Sequence, residues 1–293
     1  MTDFVQLLVA GLAIGGIYAL LALGFVWIYV ALDAVNFAQG DFAMIAAYLV
    51  FTFSVQMRVP YGLAIVLGLL SMILLGIIFQ LLVYVPFRDR SKNYLPVMIS
   101  TLGASILLQN LVLMVYGPFP QQLPNIFPAE TVHVGGVVLS TQYLLILGVT
   151  FALLLVQYIL FEKTLIGKKM QATAQDKLMA RLLGISVNTM IMLTFMYSTV
   201  LAGVAGILVA PLFMVTNTMG VIIALKAFSA SIIGGFSSVP GAIIGGLGIG
   251  LIETFAAAYL SEPYKDAFAF LILIVFLLIR PQGLFGEKIA QKA

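Results

Sequence analysis

Long apolar runs separated by short polar breaks dominate this chain. Nine stretches are apolar over helical lengths: Phe4–Val30, Asp41–Met57, Tyr61–Val85, Pro96–Tyr116, Tyr143–Phe161, Val187–Phe213, Asn217–Phe236, Pro240–Leu260 and Tyr264–Ile279. About 20 helical residues cross a bilayer core roughly 30 Å thick, so each stretch predicts a transmembrane helix, the second and seventh being the weakest. The runs are unbroken rather than alternating, which argues against a β-barrel. The start, Met1-Thr2-Asp3, carries no positive charge, and the run behind it is too long for a signal peptide, so the first stretch is expected to be retained.

Composition narrows the function classes. Hydrophobic residues make up 62% of the 293 and charged residues 9%, against about 25% charged in an ordinary soluble domain. A water-soluble enzyme and a disordered chain are both excluded by that balance. Cysteine is absent and His133 is the only histidine, so neither a thiol nucleophile nor a histidine metal cluster can be built. The only Gly-Lys pair, Gly167-Lys168, lacks the glycine five residues earlier that a P-loop needs; Glu162 stands there. No basic stripe stands clear of the apolar runs, so nucleic acid is not an expected partner. Neither catalysis nor a bound cofactor is expected.

The position of the charges then sets orientation. Of the 14 basic residues, eleven fall in three segments: Arg88, Arg90 and Lys92; Lys163, Lys168, Lys169, Lys177 and Arg181; and Arg280, Lys288 and Lys292. The positive-inside rule makes all three cytoplasmic. Three spans before the first segment put the N-terminus outside, and the C-terminus ends inside if Asn217–Phe236 crosses, giving nine crossings; eight is the alternative parse. The outer side then carries Arg58, Lys265 and the loop 117–142, where Pro118, Pro120, Pro124 and Pro128 discourage a helix and suggest an extended cap.

Several residues stand out against the apolar background. Gly11-x3-Gly15, Gly241-x3-Gly245 and Gly246-x3-Gly250 let helix backbones approach closely, either for packing or for gating. Asp33, Asn36, Gln39 and Asp41 interrupt the apolar run as an interfacial turn or as a discontinuous helix beside a wet path. Lys226, in a second interruption spanning 216–241, is either a functional intramembrane cation or a structural one bonding carbonyls at a helix break. Two interruptions at matching places in oppositely directed halves point to a central permeation path. Glu253 reads as a proton or substrate ligand or as a helix–helix hydrogen-bond partner, and His133 as an exposed loop residue.

The stretch 162–186 is the least hydrophobic long segment. Met170, Ala174, Leu178 and Leu182 recur every four residues, which predicts one amphipathic helix ended by Gly184. Such a helix lies on a membrane surface or docks into a partner's groove.

A resemblance then covers nearly the whole chain. Gly15-Gly16-Ile17-Tyr18-Ala19-Leu20, Asn36-Phe37-Ala38-Gln39-Gly40-Asp41, Thr101-Leu102-Gly103, Ala172-Thr173-Ala174-Gln175-Asp176, Gly184-Ile185, Lys226-Ala227-Phe228, Gly234-Gly235-Phe236-Ser237-Ser238-Val239-Pro240-Gly241-Ala242 and Arg280-Pro281-Gln282-Gly283-Leu284 occur in that order. Together they resemble the LivH-type permease subunits of branched-chain amino acid ABC importers. The resemblance implies an all-α polytopic bundle of the bacterial inner membrane, with eight or nine spans and two broken helices in inverted halves. Residues 1–293 would form a single permease domain, with 162–186 its cytoplasmic coupling loop. Implied partners are a second, similar permease, two cytoplasmic ATPase subunits and a periplasmic binding protein.

The residues expected along a translocation path are Asn36, Gln39, Asp41, Thr101, Asn110, Lys226 and Phe228. The coupling contacts implied on the ATPase are Met170, Ala174, Asp176, Leu178, Arg181 and Leu182. Where the family loop often opens with arginines, this one has Lys168, Lys169 and Gln171. Within the family, urea, short amides and other small solutes are alternative cargoes. Outside it, the rivals are an ion-coupled transporter using Lys226, Glu253 or Asp41, and a membrane-embedded enzyme.

Overall fold

A computed structural model describes residues 2–88, 95–123, 131–134, 137–280 and 282–285. Pro124, Pro128, Arg90, Lys92, Lys288 and Lys292 lie outside the described residues. In chain order the elements are α1 (Thr2–Leu32), α2 (Gln39–Phe51) continued by a π-helical turn Thr52–Gln56, and α3 (Tyr61–Phe79), which runs on through π-helical Gln80–Tyr84 into α4 (Val85–Arg88). Then come α5 (Leu95–Tyr116), a hairpin of β1 (Thr131–Val134) and β2 (Val137–Ser140), α6 (Thr141–Lys163), α7 (Leu165–Gln175) and α8 (Lys177–Leu182). The chain closes with α9 (Val187–Val209), α10 (Met219–Gly234), α11 (Val239–Tyr259) and α12 (Lys265–Ile279).

All nine apolar stretches are helical. Six helices are long and apolar enough to cross a membrane: α1, α3 with its extension, α5, α6, α9 and α11. The other three stretches hold the shorter helices α2, α10 and α12. The protein is thus an all-α polytopic membrane protein, apart from the hairpin.

Within the loop 117–142, β1 and β2 form that antiparallel hairpin, with Thr131 opposite Ser140, where the proline pattern suggests only an extended cap. Gln121, nearer the start of the same loop, pairs with Val215 through two backbone hydrogen bonds of 2.9 and 2.8 Å.

Glycine explains the central packing. α1 and α11 run antiparallel, with Gly11 against Leu251, Gly15 against Leu247 and Ala19 against Gly246. A Cβ at Gly250 would collide with the backbone of Gly15, so the paired small-residue motifs let the two backbones touch. α1 and α6 run parallel: Gly16 faces Thr150, and further along Trp27 stacks on Phe161 with ring centroids 3.6 Å apart.

The two breaks are related. After Leu32 the chain turns at Asp33, whose φ of +58° is left-handed, and climbs back through 34–38. Gln39 then lies beside Gly24, where Ser198 Oγ donates to Gln39 Oε1 (2.9 Å) and Gln39 Nε2 donates to Ser198 O (3.3 Å). Leu32 lies eight residues beyond Gly24, so the Gln39 amide meets α1 about 12 Å inside its end. α10 likewise follows a non-helical return, 210–218, and its second residue, Gly220, packs backbone to backbone on Gly40, the second residue of α2. The helix contacts match under exchange of α1, α2, α3 and α5 for α9, α10, α11 and α12: α1 packs on α11 as α9 does on α3, and α2 on α5 as α10 does on α12.

Candidate functional site

A cavity of about 410 Å³ lies between α1, α2, α5 and α10. Phe25, Phe37, Asp41, Ser105, Gln109 and Phe228 are among its lining, with Leu102, Val221 and Leu225 exposed at the rim. Asp41 is only 2% exposed. It sits in the first turn of α2, where the helix dipole favours a carboxylate. Gln109 Nε2 donates to Asp41 Oδ1 at 3.0 Å and also reaches Ser105 Oγ at 3.0 Å.

Phe37 is held over this cavity from two sides. Its backbone N–H donates to Thr101 Oγ1 on α5 (3.1 Å), and Asn36 Oδ1 accepts from the N–H of Ala38 (3.1 Å), fixing the turn. The Thr101 hydroxyl itself donates a hydrogen bond to the carbonyl of Met98 (2.8 Å). The Phe37 ring lies 6.4 Å from Phe228, which meets Phe25 at 5.7 Å and Phe236 at 5.4 Å; Phe236 meets Tyr29 at 4.8 Å. Phe25, Phe37 and Phe228 thus line the cavity, and Phe236 and Tyr29 extend the ring cluster behind them toward the Asp33 end of α1.

Of the seven residues expected along a path, Asp41 and Phe228 line the cavity, while Asn36 and Thr101 position Phe37. Gln39 is buried and turned to α9. Asn110 is exposed and bonds the carbonyl of Ile106 one turn back (2.7 Å). Lys226 lies in a different cluster. Phe25, Phe37, Ser105 and Gln109 were missed. The last two had a readable signal, since Thr101, Ser105 and Gln109 recur every four residues along α5.

The second cluster joins α1, α10, α11 and α12. Lys226 Nζ donates to Glu253 Oε1 at 2.6 Å and lies 2.7 Å from Asp266 Oδ1. Tyr18 Oη donates to the other oxygen of Glu253 at 2.7 Å, and Lys226 Nζ stands 5.6 Å from the centre of the Tyr18 ring. Lys226 and Glu253 are nearly fully buried, whereas the Asp266 side chain is half-exposed. Lys226 therefore bonds carboxylates rather than the carbonyls of a helix break. These residues border a smaller cavity of about 200 Å³, whose remaining wall is mostly apolar, as at Ile17, Phe213 and Ile223, with Thr216 and Lys265 also lining it.

The stretch 162–186 corrects the single-helix expectation. It forms two helices, because Asp176 leaves the helical region (φ −152°, ψ 107°) and caps α8, its Oδ1 accepting from the N–H groups of Leu178 (2.8 Å) and Met179 (3.0 Å). Thr164 caps α7 in the same way, accepting from Gly167 N (3.1 Å). The break splits the apolar stripe. Met170 is buried and Ala174 half-buried, while Leu178 is 64% and Leu182 73% exposed. Met179, Arg181 and Leu183 are exposed beside them. Gly184 ends α8 with φ +77°, as its position suggested, and Ile185 N–H bonds back to Ala180 O (2.9 Å). Burial pushes the Lys177 ammonium below the usual lysine range, Asp33 at the end of α1 acts to raise it, and Arg181 lowers it further.

Comparison with known proteins places this geometry. Residues 7–277 match the family model described as branched-chain amino acid transport system / permease component. The chain is 35% identical over 303 aligned positions to the high-affinity branched-chain amino acid transport system permease protein BraD of Pseudomonas aeruginosa, covering 99% of this chain and 98% of that one. It is also 35% identical to the corresponding permease protein LivH of Escherichia coli K12, covering 99% and 97%. A probable LivH of Methanocaldococcus jannaschii is 28% identical, covering 91% and 88%. Among solved structures, PsaBC from Streptococcus pneumoniae in complex with Fab shares the fold, with a TM-score of 0.51, 15% identity and coverage of 97% and 94%.

Proposed function

The chain belongs to the branched-chain amino acid transport permease family, and we propose that it is the membrane-spanning subunit of an ATP-driven importer. In this reading a periplasmic binding protein delivers a branched-chain amino acid, and the subunit passes it across the inner membrane. The observation that carries the reading is near end-to-end identity of 35% with two curated permeases of that system.

The proposed assembly has a second, homologous permease and two cytoplasmic ATPase subunits, with the whole chain acting as one permease domain. Nine crossings put the N-terminus in the periplasm and the C-terminus in the cytoplasm. The helix directions support this, because nine crossings require α1 and α6 parallel and α1 and α11 antiparallel, as they are.

The path in this reading runs through the cavity of Asp41, with Phe228 and its ring neighbours closing the cytoplasmic side. Asn36 and Thr101 hold Phe37 in that closure. Gln39 and Lys226 support the surrounding helices, and Asn110 faces the neighbouring permease. Residues 162–186 couple the path to the ATPases. Leu178, Arg181 and Leu182 make the contact, Asp176 holds α8 in shape, and Met170 and Ala174 root α7 in the bundle. Apolar side chains this exposed at the end of a bundle gain most from burial in a partner's groove. The ligand must favour one state and ATP the other for the stroke to do work.

Co-purification with the ATPase subunits, followed by measurement of ATP hydrolysis in liposomes, tests the assignment. Hydrolysis should rise when the loaded binding protein is added, and the solute should accumulate. Accumulation by this chain reconstituted alone, without nucleotide, would refute it.

A further inference from the structure

We infer that the cavity between α1, α2, α5 and α10 binds the ammonium group of an aliphatic solute, with Asp41 as its counter-charge. The inference rests on the importer reading and names the group its path recognises.

The first observation is an uncompensated charge. Asp41 is buried, and among the described residues no lysine or arginine stands within ion-pair distance of it; Lys226 is committed to Glu253 and Asp266. Its polar neighbours, Gln109 and Ser105, are neutral. A carboxylate inside a membrane bundle without a cation is costly, and such residues mark solute or ion paths. The start of α2 offsets part of the cost; a visiting cation would offset more.

The second observation is the rest of the wall. Phe25, Phe37 and Phe228 present rings, and Leu102, Val221 and Leu225 present aliphatic surface. Ring faces attract an ammonium and aliphatic walls hold a hydrocarbon body, so wall and carboxylate together match a molecule with both parts. The volume, about 410 Å³, falls within the range of small-molecule sites, roughly 300–1,000 Å³. An anion would be repelled by Asp41. A metal cation would want more oxygen ligands than one carboxylate among phenyl rings supplies. Uncharged urea or an amide would leave the carboxylate unpaired. The cavity offers no cation to the carboxylate of a zwitterion, so that end faces the open rim between Leu102 and Leu225.

The absence of cysteine makes a direct probe possible. A single Leu102→Cys variant is assembled with cysteine-free partners and labelled with two methanethiosulfonates of similar size, one bearing trimethylammonium and one sulfonate. We expect the cationic reagent to react at least tenfold faster after correction for their rates with a free thiol, and Asp41→Asn to bring that ratio near one.

In parallel, ATP-driven uptake of leucine is measured in proteoliposomes with saturating binding protein. Asp41→Asn should lower uptake at least tenfold while the binding protein still stimulates hydrolysis, and Asp41→Glu should recover most of it. Equal labelling by both reagents, or unchanged uptake by Asp41→Asn, would overturn the inference and leave the importer reading standing. Loss of assembly in both Asp41 variants would reassign Asp41 to structure and overturn it as well. A wild-type complex that carries urea but no amino acid would overturn the inference and the substrate reading together.

Discussion

Lys226 Nζ lies 2.6 Å from Glu253 Oε1, 27 residues away in sequence, and this bond ties α10 to α11 inside the bundle. Glu253 also accepts from Tyr18 of α1, and Asp266 brings α12 to the same ammonium. Four helices therefore meet at one cation. Lys226→Met leaves Glu253 buried without its cation. The expected cost is about 3–5 kcal/mol, the usual penalty for breaking a buried pair, read as a lower unfolding midpoint in detergent. Adding Glu253→Gln should recover part of that loss, because it removes the stranded charge. A double variant as unstable as the sum of the two singles would show that the pair is not coupled.

Gly40 and Gly220 set a second constraint. A Cβ on either residue would meet the backbone of the other helix, so the starts of α2 and α10 cross at backbone distance. Gly40→Val is expected to prevent assembly or to force the two helices apart. The yield of monodisperse protein in detergent measures this. Gly103→Ala, whose Cβ would meet nothing within 4 Å, should behave as wild type.

The apolar runs showed the helices, because hydrophobicity over 20 residues responds directly to bilayer thickness. The Asp33–Asp41 and 216–241 interruptions showed the two breaks. Their meeting at Gly40 and Gly220 was hidden, since it depends on how far each chain climbs back before its helix starts. Lys226 stands out within its apolar segment, but its partners Glu253 and Asp266 lie 27 and 40 residues on, beyond any local spacing rule. The cavity wall was only half legible: Asp41 and Phe228 are unusual in their own segments, whereas Phe25 is one more apolar residue of α1. In the stretch 162–186 the four-residue apolar spacing masks a competing signal. Asp176 caps a new helix more favourably than it continues an old one.

The exposed face of α8 should be where hydrolysis is tied to uptake. Leu178→Glu and Leu182→Glu leave the bundle untouched, because both side chains already face out. Each is expected to abolish binding-protein-stimulated ATP hydrolysis or to weaken co-purification of the ATPases, with little change in the unfolding midpoint. Asp176→Ala removes the cap of α8 at a cost of about 1 kcal/mol to the helix, and should lower uptake per ATP hydrolysed. Met170→Ala, which truncates a buried side chain, should act on stability instead, lowering the midpoint by an amount equivalent to about 2–5 kcal/mol.

The aromatic closure makes a different prediction. Phe228 touches Phe25, Phe37 and Phe236, so Phe228→Ala opens a void at the middle of the ring cluster. Basal hydrolysis without binding protein should rise severalfold, and preloaded solute should leak from proteoliposomes. A tight vesicle with wild-type basal hydrolysis would mean that the rings fill space and do not gate.

The last prediction concerns how α8 reaches that closure. Lys177, its first residue, interacts electrostatically with Asp33, and Asp33 is the left-handed turn from which 34–38 climbs to Phe37. We therefore expect a displacement of α8 by a partner to be felt at the base of the segment that carries Phe37. Lys177→Asp places two negative charges together and should raise hydrolysis without uptake. Asp33→Lys alone should do the same through two positive charges. If the pair transmits the stroke through its attraction, the double swap Asp33→Lys/Lys177→Asp restores the attraction with its polarity reversed and recovers a good part of the uptake-to-hydrolysis ratio. The left-handed backbone at position 33 tolerates aspartate better than lysine, so recovery should be partial and Asp33→Asn milder than Asp33→Lys. A double swap no better than the worse single variant would mean that α8 moves the path through α7 and its packing on α1 instead.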